Sequence, residues 1–490
     1  MTTTEPAPAE EAPPPDPNAV NITINGVPHV ARKGQMLIDA AADAGQYIPR
    51  FCYHERMTPV GKCRMCLVEC DSGRGPAVTV SCMVPVAPDM KVDTESPTTK
   101  RMQEGILELL LANHPLDCPV CDKGGECPLQ DQAFSHGPGE SRYIEEKRHY
   151  EKPIPISDLV FLDRERCILC DRCTRFADEV AGDPLIHFNS RGNNTHITTF
   201  PDEPFSSYFS GNTVQICPVG ALCSKDFLYE QRVWWLKTKK SVCPDCSTGC
   251  SINVDQNNDH VYRLKPRYNP KAQGRFMCDD GRFGWKYIHA ENRLSLPVKR
   301  EGGNTVSNDW DLVLAATREA VQASAKASPK KVAAIFSPWM TVEEAYLRAS
   351  WLKGLSSDIT LAMTPARVEG ADDSFPKDIR GNALQPSKFT VRAEKAPNRL
   401  GVETVLKHFQ GDVIPSGKVL EGGNYDTLIV VGGDPNPEVN SATASKIGSV
   451  KTLVVLDLLE TALSKKAHYV LAGGSFAERD GSFVNHSGLV

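Results

Sequence analysis

The sequence predicts a multidomain protein in which small α+β modules come first and an α/β unit comes last, and three observations carry that expectation. The chain has 490 residues, 40% of them hydrophobic, whereas a single core rarely grows beyond about 250–300 residues. All 17 cysteines lie before residue 279, which confines the chemistry to the first part of the chain. From about Leu294 onward the pattern becomes short buried strands alternating with helical segments, as in a parallel α/β sheet.

The chain opens with a run of Thr, Ala, Pro and Glu that continues to Pro17. Such a run is too poor in apolar groups to bury a core, so residues 1–19 are expected to form a disordered tail. No positively charged start is followed by an apolar segment, and no arginine precedes Arg32, so the tail reads as neither a secretory signal nor a mitochondrial presequence. A cytoplasmic bacterial protein fits best. In a reducing compartment 17 cysteines are metal ligands before they are disulfides. The formal net charge of -6 is small, and no Lys/Arg run of the kind that binds nucleic acid is present. The longest purely apolar stretches, such as residues 428–431, are far short of the roughly 20 residues that cross a bilayer. Any membrane association is therefore expected to be indirect, through other subunits.

The first module begins at Asn21, where Asn-Ile-Thr-Ile-Asn-Gly-Val alternates like a strand running into a turn, and residues 36–45 read as a helix closed by glycine. Cys52, Cys63, Cys66 and Cys82 follow with the spacing C-x10-C-x2-C-x15-C. A plant-type 2Fe-2S ferredoxin uses C-x4-C-x2-C and a remote fourth cysteine, so the first gap is longer here while the logic of a ligand loop and a distant closing residue is kept. Cys70 lies nearby as a competing fourth ligand. The plain alternative for any one of these thiols is a small buried hydrophobe.

Residues 102–113 read as a helix with an apolar face built from Ile106, Leu107, Leu109, Leu110 and Leu111, and Pro115 ends it at His114. His114, Cys118, Cys121 and Cys127 then form H-x3-C-x2-C-x5-C, read as a 4Fe-4S site in which an imidazole replaces one thiolate. A neutral ligand in place of an anionic one makes a cluster easier to reduce. Zinc, which favours the same three thiolates and one imidazole, is the competing reading. The third group is Cys167, Cys170 and Cys173, completed by a remote Cys217 before Pro218. Two successive C-x2-C steps and a Cys-Pro match the bacterial ferredoxin pattern, and with no second such run one 4Fe-4S cluster is expected. Cys223 is left as a structural thiol. The fourth group, Cys243, Cys246, Cys250 and Cys278, has the spacing C-x2-C-x3-C-x27-C, with Gly281 and Gly284 suited to a close backbone approach. Zinc bound by four cysteines is again the alternative.

Four stretches give the chain a family likeness. They are Gly61-Lys-Cys-Arg-Met-Cys-Leu-Val-Glu69, Cys118-Pro-Val-Cys-Asp-Lys-Gly-Gly-Glu-Cys-Pro-Leu-Gln-Asp131, Arg166-Cys-Ile-Leu-Cys-Asp-Arg-Cys-Thr-Arg-Phe176 and Gly211-Asn-Thr-Val-Gln-Ile-Cys-Pro-Val-Gly-Ala221. Together they resemble the large iron-sulfur (G) subunit of respiratory complex I, the NADH-quinone oxidoreductase, a subunit of its peripheral arm. The resemblance implies a 2Fe-2S ferredoxin-like (β-grasp) domain over 20–97 and a 4Fe-4S domain with one His and three Cys ligands over 98–137. It implies a 4Fe-4S ferredoxin-like domain over 138–235 and, in only some members, a further 4Fe-4S module off the main electron route, here 236–292. The remainder, 293–490, looks like a truncated molybdopterin oxidoreductase-like α/β domain, with strands expected at 332–336, 427–433 and 452–457 and a helix at 342–352. Gly432-Gly-Asp-Pro-Asn-Pro437 resembles the loop that holds a pterin nucleotide in molybdenum enzymes, and Glu478-Arg-Asp-Gly-Ser-Phe-Val-Asn485 resembles their later cap. No cysteine follows Cys278 to ligate molybdenum, so this region is expected to be a scaffold without a molybdenum cofactor.

The implied function is one-electron relay through one 2Fe-2S and three 4Fe-4S clusters. The family's partners would be flavin-containing NADH-oxidising subunits, the 8Fe ferredoxin-like subunit and the quinone-site subunits, on the cytoplasmic face of the bacterial inner membrane. The activity, proton-translocating NADH:quinone oxidoreduction, would belong to the assembly. No G-x-G-x-x-G after a strand and no Ser/His/Asp arrangement gives this chain a substrate-transforming site of its own. A different class, the diaphorase-linked subunit of a soluble NAD-dependent formate dehydrogenase or hydrogenase, shares the N-terminal modules. It would require further cysteines, or a cysteine or selenocysteine beyond the fourth group, that the sequence lacks.

Overall fold

In the computed structural model the described residues are 17–378, 380–422, 424–436, 447 and 449–490. The tail expected over 1–19 lies outside them except for its last three residues, of which Ala19 already begins a strand.

The first module is a mixed sheet crossed by a helix. Strands β1 (Ala19–Ile24) and β2 (Val27–Arg32) pair antiparallel. They are joined by Asn25-Gly26, both at positive φ, the two-residue turn whose twist matches that of a hairpin. Strands β3 (Leu67–Asp71), β4 (Ala77–Val80) and β5 (Met90–Asp93) complete the order β2-β1-β5-β3-β4, with β1 and β5 parallel. Helix α1 (Leu37–Asp43) buries Leu37, Ile38, Ala40 and Ala41. It stops before Gly45, whose φ of +74° an L-residue would resist. This is the β-grasp arrangement that the resemblance implies.

Helix α2 (Pro97–Ala112) starts five residues earlier than apolar periodicity suggests. Its first turn is built by polar groups instead: Ser96 Oγ accepts from Thr99 N at 3.1 Å, and Pro97 occupies the first helical position. The buried face is correspondingly mixed, with Thr99, Gln103 and Leu107 inside and Leu109 74% exposed. Gln103 Nε2 donates to Leu67 O at 3.1 Å, so α2 docks on β3 partly through hydrogen bonds. Helix α3 (Pro128–His136) begins directly after Cys127.

A small antiparallel sheet of Ile154–Pro155, Val160–Leu162 and Leu222–Ser224 carries the next module, with short helices Arg172–Phe176 and Gly211–Ile216 beside it. A second three-stranded sheet, Lys237–Val242, Ser251–Asn257 and His260–Pro266, follows. One buried core runs through the first three modules, joining Phe51, Met65, Leu107, Leu129, Leu162 and Val219.

The C-terminal unit is an eight-stranded sheet. Its central strands Val332–Phe336, Thr427–Val431 and Thr452–Asp457 are mutually parallel, as the α/β pattern requires, and all five residues of the first are buried. The second ends two residues before the expected 433, because Gly433, at φ +104°, leaves the extended conformation. The expected helix at 342–352 is Val342–Leu355, opened by a capping box between Thr341 and Glu344. Pro437 of the pterin-like loop lies outside the described residues. Among the described residues no helix is long and apolar enough to cross a membrane.

Candidate metal centres

The first cysteine group sits at the edge of the β-grasp sheet. Cys66 and Cys82 lie just before β3 and just after β4, and the antiparallel pairing of those strands brings them together. Cys52 N points at Cys63 Sγ at 3.3 Å and Cys63 N at Cys52 Sγ at 3.5 Å. Cys63 and Cys82 are both within hydrogen-bonding reach of Cys52, and Cys82 is within reach of Cys66. Hydrogen bonds from Cys63 and Cys82 hold the Cys52 thiol far below its ordinary range. Gly61 lets the loop turn at φ +57°, where a Cβ would strike Met83 at 2.8 Å. Cys70, the competing fourth ligand, lies in β3 with its side chain in the core of the module.

Cys167, Cys170, Cys173 and Cys217 line one small cavity together with Arg172 and Val219. The αL conformations of Leu169 and Asp171 turn the backbone tightly enough for three cysteines to face one space. The second group abuts this one. Cys127 Sγ lies 3.6 Å from Pro218 O, and a Cβ on Gly220 would sit 2.2 Å from Cys121 Sγ, so only glycine permits the approach. Cys223 donates from Sγ to Gly220 O at 3.4 Å and belongs to the support of that loop. Cys118 is exposed, whereas Cys121 and Cys127 are buried. The His114 imidazole makes no hydrogen bond to the three sulfurs among the described residues, but Arg166 acts electrostatically on both His114 and Cys121.

In the fourth group Cys243, Cys246 and Cys250 form the connection between two strands, closed by Cys243 N donating to Cys250 O at 2.8 Å. Cys278 caps the helix Asp279–Phe283 through Sγ, which accepts from Gly281 N at 3.4 Å. A Cβ on Gly281 would come within 2.9 Å of Cys243 Sγ and 3.5 Å of Cys278 Sγ. Glycine here is thus a cradle for sulfur.

The donor sets fit iron-sulfur clusters. Burial pushes the thiols of Cys173, Cys243, Cys250 and Cys278 well above their ordinary range, and neighbouring sulfurs push them further. Four such groups become thiolates only where cationic metal compensates them. Among the described residues no three His, Cys, Asp or Glu side chains converge tightly enough for a single metal ion. For His114, burial and the cations Arg166 and Lys147 hold the imidazole down to about 4, which keeps it in the neutral form that can ligate metal. Its Nδ1 is buried without a partner.

Sequence patterns did not point to the residues that link the sets. Arg172 Nη2 donates to Tyr53 O at 2.6 Å and Nη1 to Ile216 O at 3.0 Å, tying the residue after Cys52 to the residue before Cys217. Arg175 donates to Cys52 O and, at 2.5 Å, to Thr58 O. Asn485 Nδ2 donates to Thr248 O at 3.0 Å, so the cap-like segment reaches the fourth group. Only proximity in the fold reveals these roles.

Small cluster-binding modules in series, each presenting buried thiols from turns, define an iron-sulfur protein with 2Fe-2S and 4Fe-4S domains. Residues 17–97 match the 2Fe-2S iron-sulfur cluster binding domain, and 103–142 match the NADH-ubiquinone oxidoreductase-G iron-sulfur binding region. Residues 157–223 match the ferredoxin-like domain of NADH-quinone oxidoreductase subunit 3, and 236–290 the molybdopterin oxidoreductase Fe4S4 domain. The NADH-quinone oxidoreductase (G) subunit of Streptomyces coelicolor is 42% identical over 76% of this chain and 44% of its own length. Its counterpart in Mycobacterium tuberculosis is 42% identical over 73% of this chain and 44% of its own length. The NADH-ubiquinone oxidoreductase 75 kDa subunit of Reclinomonas americana is 37% identical over 74% and 52%. A chain in the crystal structure of an NAD+-reducing [NiFe]-hydrogenase is 29% identical, covering 44% of this chain and 91% of that one with a TM-score of 0.39. The chain belongs to the family of NADH-quinone oxidoreductase (G) subunits. It spans about half the length of the curated relatives it matches.

Proposed function

We propose that this chain is the iron-sulfur relay of an NADH-quinone oxidoreductase, carrying electrons one at a time from a flavin-containing NADH-oxidising partner toward quinone-reducing subunits. Cys52, Cys63, Cys66 and Cys82 would hold a 2Fe-2S cluster. Three 4Fe-4S clusters would be held by His114, Cys118, Cys121 and Cys127, by Cys167, Cys170, Cys173 and Cys217, and by Cys243, Cys246, Cys250 and Cys278. When bound, such clusters supply one-electron redox chemistry. The chain's own residues space them, exclude water from them and set the charge around them.

The single observation that carries the reading is contiguity. The first group joins the third through Arg172, and the third joins the second through Pro218 against Cys127 and Gly220 against Cys121. The spatial order is therefore first, third, second, which differs from the order along the chain and makes a continuous path. The second group's Cys118 is exposed at the far end, where a partner's acceptor could approach. The α/β unit is a scaffold without molybdenum in this reading, proton translocation belongs to the complex, and the chain sits peripherally on the cytoplasmic face of the membrane.

Iron and acid-labile sulfide analysis of the purified protein tests the assignment. One binuclear and three tetranuclear clusters correspond to about fourteen irons per chain. Iron near ten, with stoichiometric zinc, would remove one tetranuclear assignment. Copurification with flavin-containing and quinone-site subunits tests the complex.

A further inference from the structure

Arg172 is a half-buried cation with no acidic partner among the described residues. Its two terminal nitrogens bond only to the carbonyls of Tyr53 and Ile216, at 2.6 and 3.0 Å. Its Nε is buried and has no hydrogen-bond partner, and the side chain lines the cavity of Cys167, Cys170, Cys173 and Cys217. The neighbouring Asp171 pairs instead with Lys62 at 3.3 Å. Two other arginines of the cysteine-bearing modules are compensated differently. Arg166 pairs with Asp117 at 3.0 Å and Asp163 at 3.1 Å, and Arg263 pairs with Asp255 and Glu126, each at 2.8 Å.

An uncompensated guanidinium in a low-dielectric interior is costly unless an anion faces it. Cys170 and Cys217 of the third group and Cys63 and Cys52 of the first are the sulfurs that, as thiolates, would act on Arg172. With four thiolates each, both clusters are net anionic, and among the described residues these sulfurs are the groups placed to compensate it.

We propose that Arg172 is a shared electrostatic positioning residue for the 2Fe-2S cluster and the adjacent 4Fe-4S cluster, its charge favouring the reduced form of both. The inference rests on the cluster reading above. Reduction adds negative charge to a cluster, so a fixed cation between two of them raises both potentials. The fork of the guanidinium matters as well as its charge, because two nitrogens are committed to carbonyls flanking the two sites.

EPR-monitored redox titration of the full-length, cluster-loaded protein tests this, with Arg172→Gln and Arg172→Lys compared against the unmutated chain. Both signals in the unmutated chain establish the cluster reading itself; their absence there would sink that reading rather than this one. Arg172→Gln should lower both midpoints by at least the equivalent of tenfold in the reduction equilibrium, about 59 mV for a one-electron couple, and leave the fourth cluster's signal in place. Arg172→Lys, which keeps the charge, should restore most of the shift. Unmoved midpoints in an Arg172→Gln protein that retains both signals overturn the proposal. Should Arg172→Gln fail to hold its clusters, Arg172→Lys decides alone. Native-like midpoints support the proposal; midpoints shifted tenfold or more, or loss of both clusters in that variant too, reduce Arg172 to a structural clamp.

Discussion

At the scale of single residues, ligand identity is one lever on a cluster's potential, and His114 would be the one ligand of the proposed sets that is not a thiolate. The neutral ring stands near Arg166 and Lys147, whose charges discourage its protonation. Replacing His114 with Cys adds a thiolate, makes the cluster more negative and so harder to reduce. The expected result is an intact tetranuclear centre with a lower midpoint in an EPR-monitored titration; a midpoint that stays or rises would mean that His114 is not a ligand. The spare thiols supply the opposite control. Cys70 is packed in the β-grasp core and Cys223 bonds to Gly220 O, so serine at either position should leave every cluster signal in place. Loss of the binuclear signal in Cys70→Ser would transfer the fourth ligand from Cys82 to Cys70.

At the scale of elements, the end of the strand Thr452–Asp457 shows how a buried carboxylate fixes a loop. Asp457 accepts from Gly433 N at 2.9 Å and from Leu458 N at 2.8 Å, and a Cβ on Gly432 would strike its carboxyl at 2.3 Å. Burial pushes its pKa up to about 6 despite those backbone donors. The folded value lies above the unfolded one, so between about pH 4 and pH 6 the folded chain holds a proton that the unfolded chain has lost, and stability rises as pH falls through that window. At neutral pH the carboxylate costs on the order of 3 kcal/mol. Asp457→Asn, which keeps an acceptor oxygen, should melt no lower than the native chain at pH 7 and depend less on pH between about 4 and 6. Parallel melting curves for the two proteins across that window would contradict the assignment. Elements like this strand were legible in the sequence because four or five apolar residues in a row have few other places to go. The start of α2 was not, because Ser96 and Pro97 act through capping and fixed φ, which periodicity does not register. Nor was the ribbon of Asp373–Phe375 and Phe389–Val391: three-residue strands carry no period, and their pairing depends on Phe375 and Phe389 packing against the distant Phe209.

At the scale of the whole molecule, cysteine spacing made the four groups legible but not their arrangement, because contacts such as Gly220 against Cys121 or Arg172 to Tyr53 O join residues about a hundred positions apart. The fourth group is where that arrangement has its largest mechanical consequence. Asp279, next to Cys278, accepts from Ser210 Oγ at 2.7 Å and from Gly211 N at 2.8 Å. Asn212 Nδ2 donates to Met277 O at 2.7 Å, and Arg282 Nη2 donates to Asn212 Oδ1 at 2.9 Å. These bonds fasten the fourth group to the helix Gly211–Ile216 that leads into Cys217. On its other side, Asn485 and His486 fasten it to the end of the C-terminal unit, with His486 N donating to Ser247 O at 2.9 Å. Metal binding at a site the unfolded chain cannot form appears as folding energy, so this cluster would stabilise the junction between the relay modules and the scaffold. Cys278→Ala should therefore lower the yield of assembled complex. Because the family resemblance puts this group off the main electron route, the complex that does assemble should pass electrons from NADH to quinone at a near-normal rate per intact particle. A collapse of that rate, with assembly and the other three cluster signals unchanged, would place the fourth cluster on the main path.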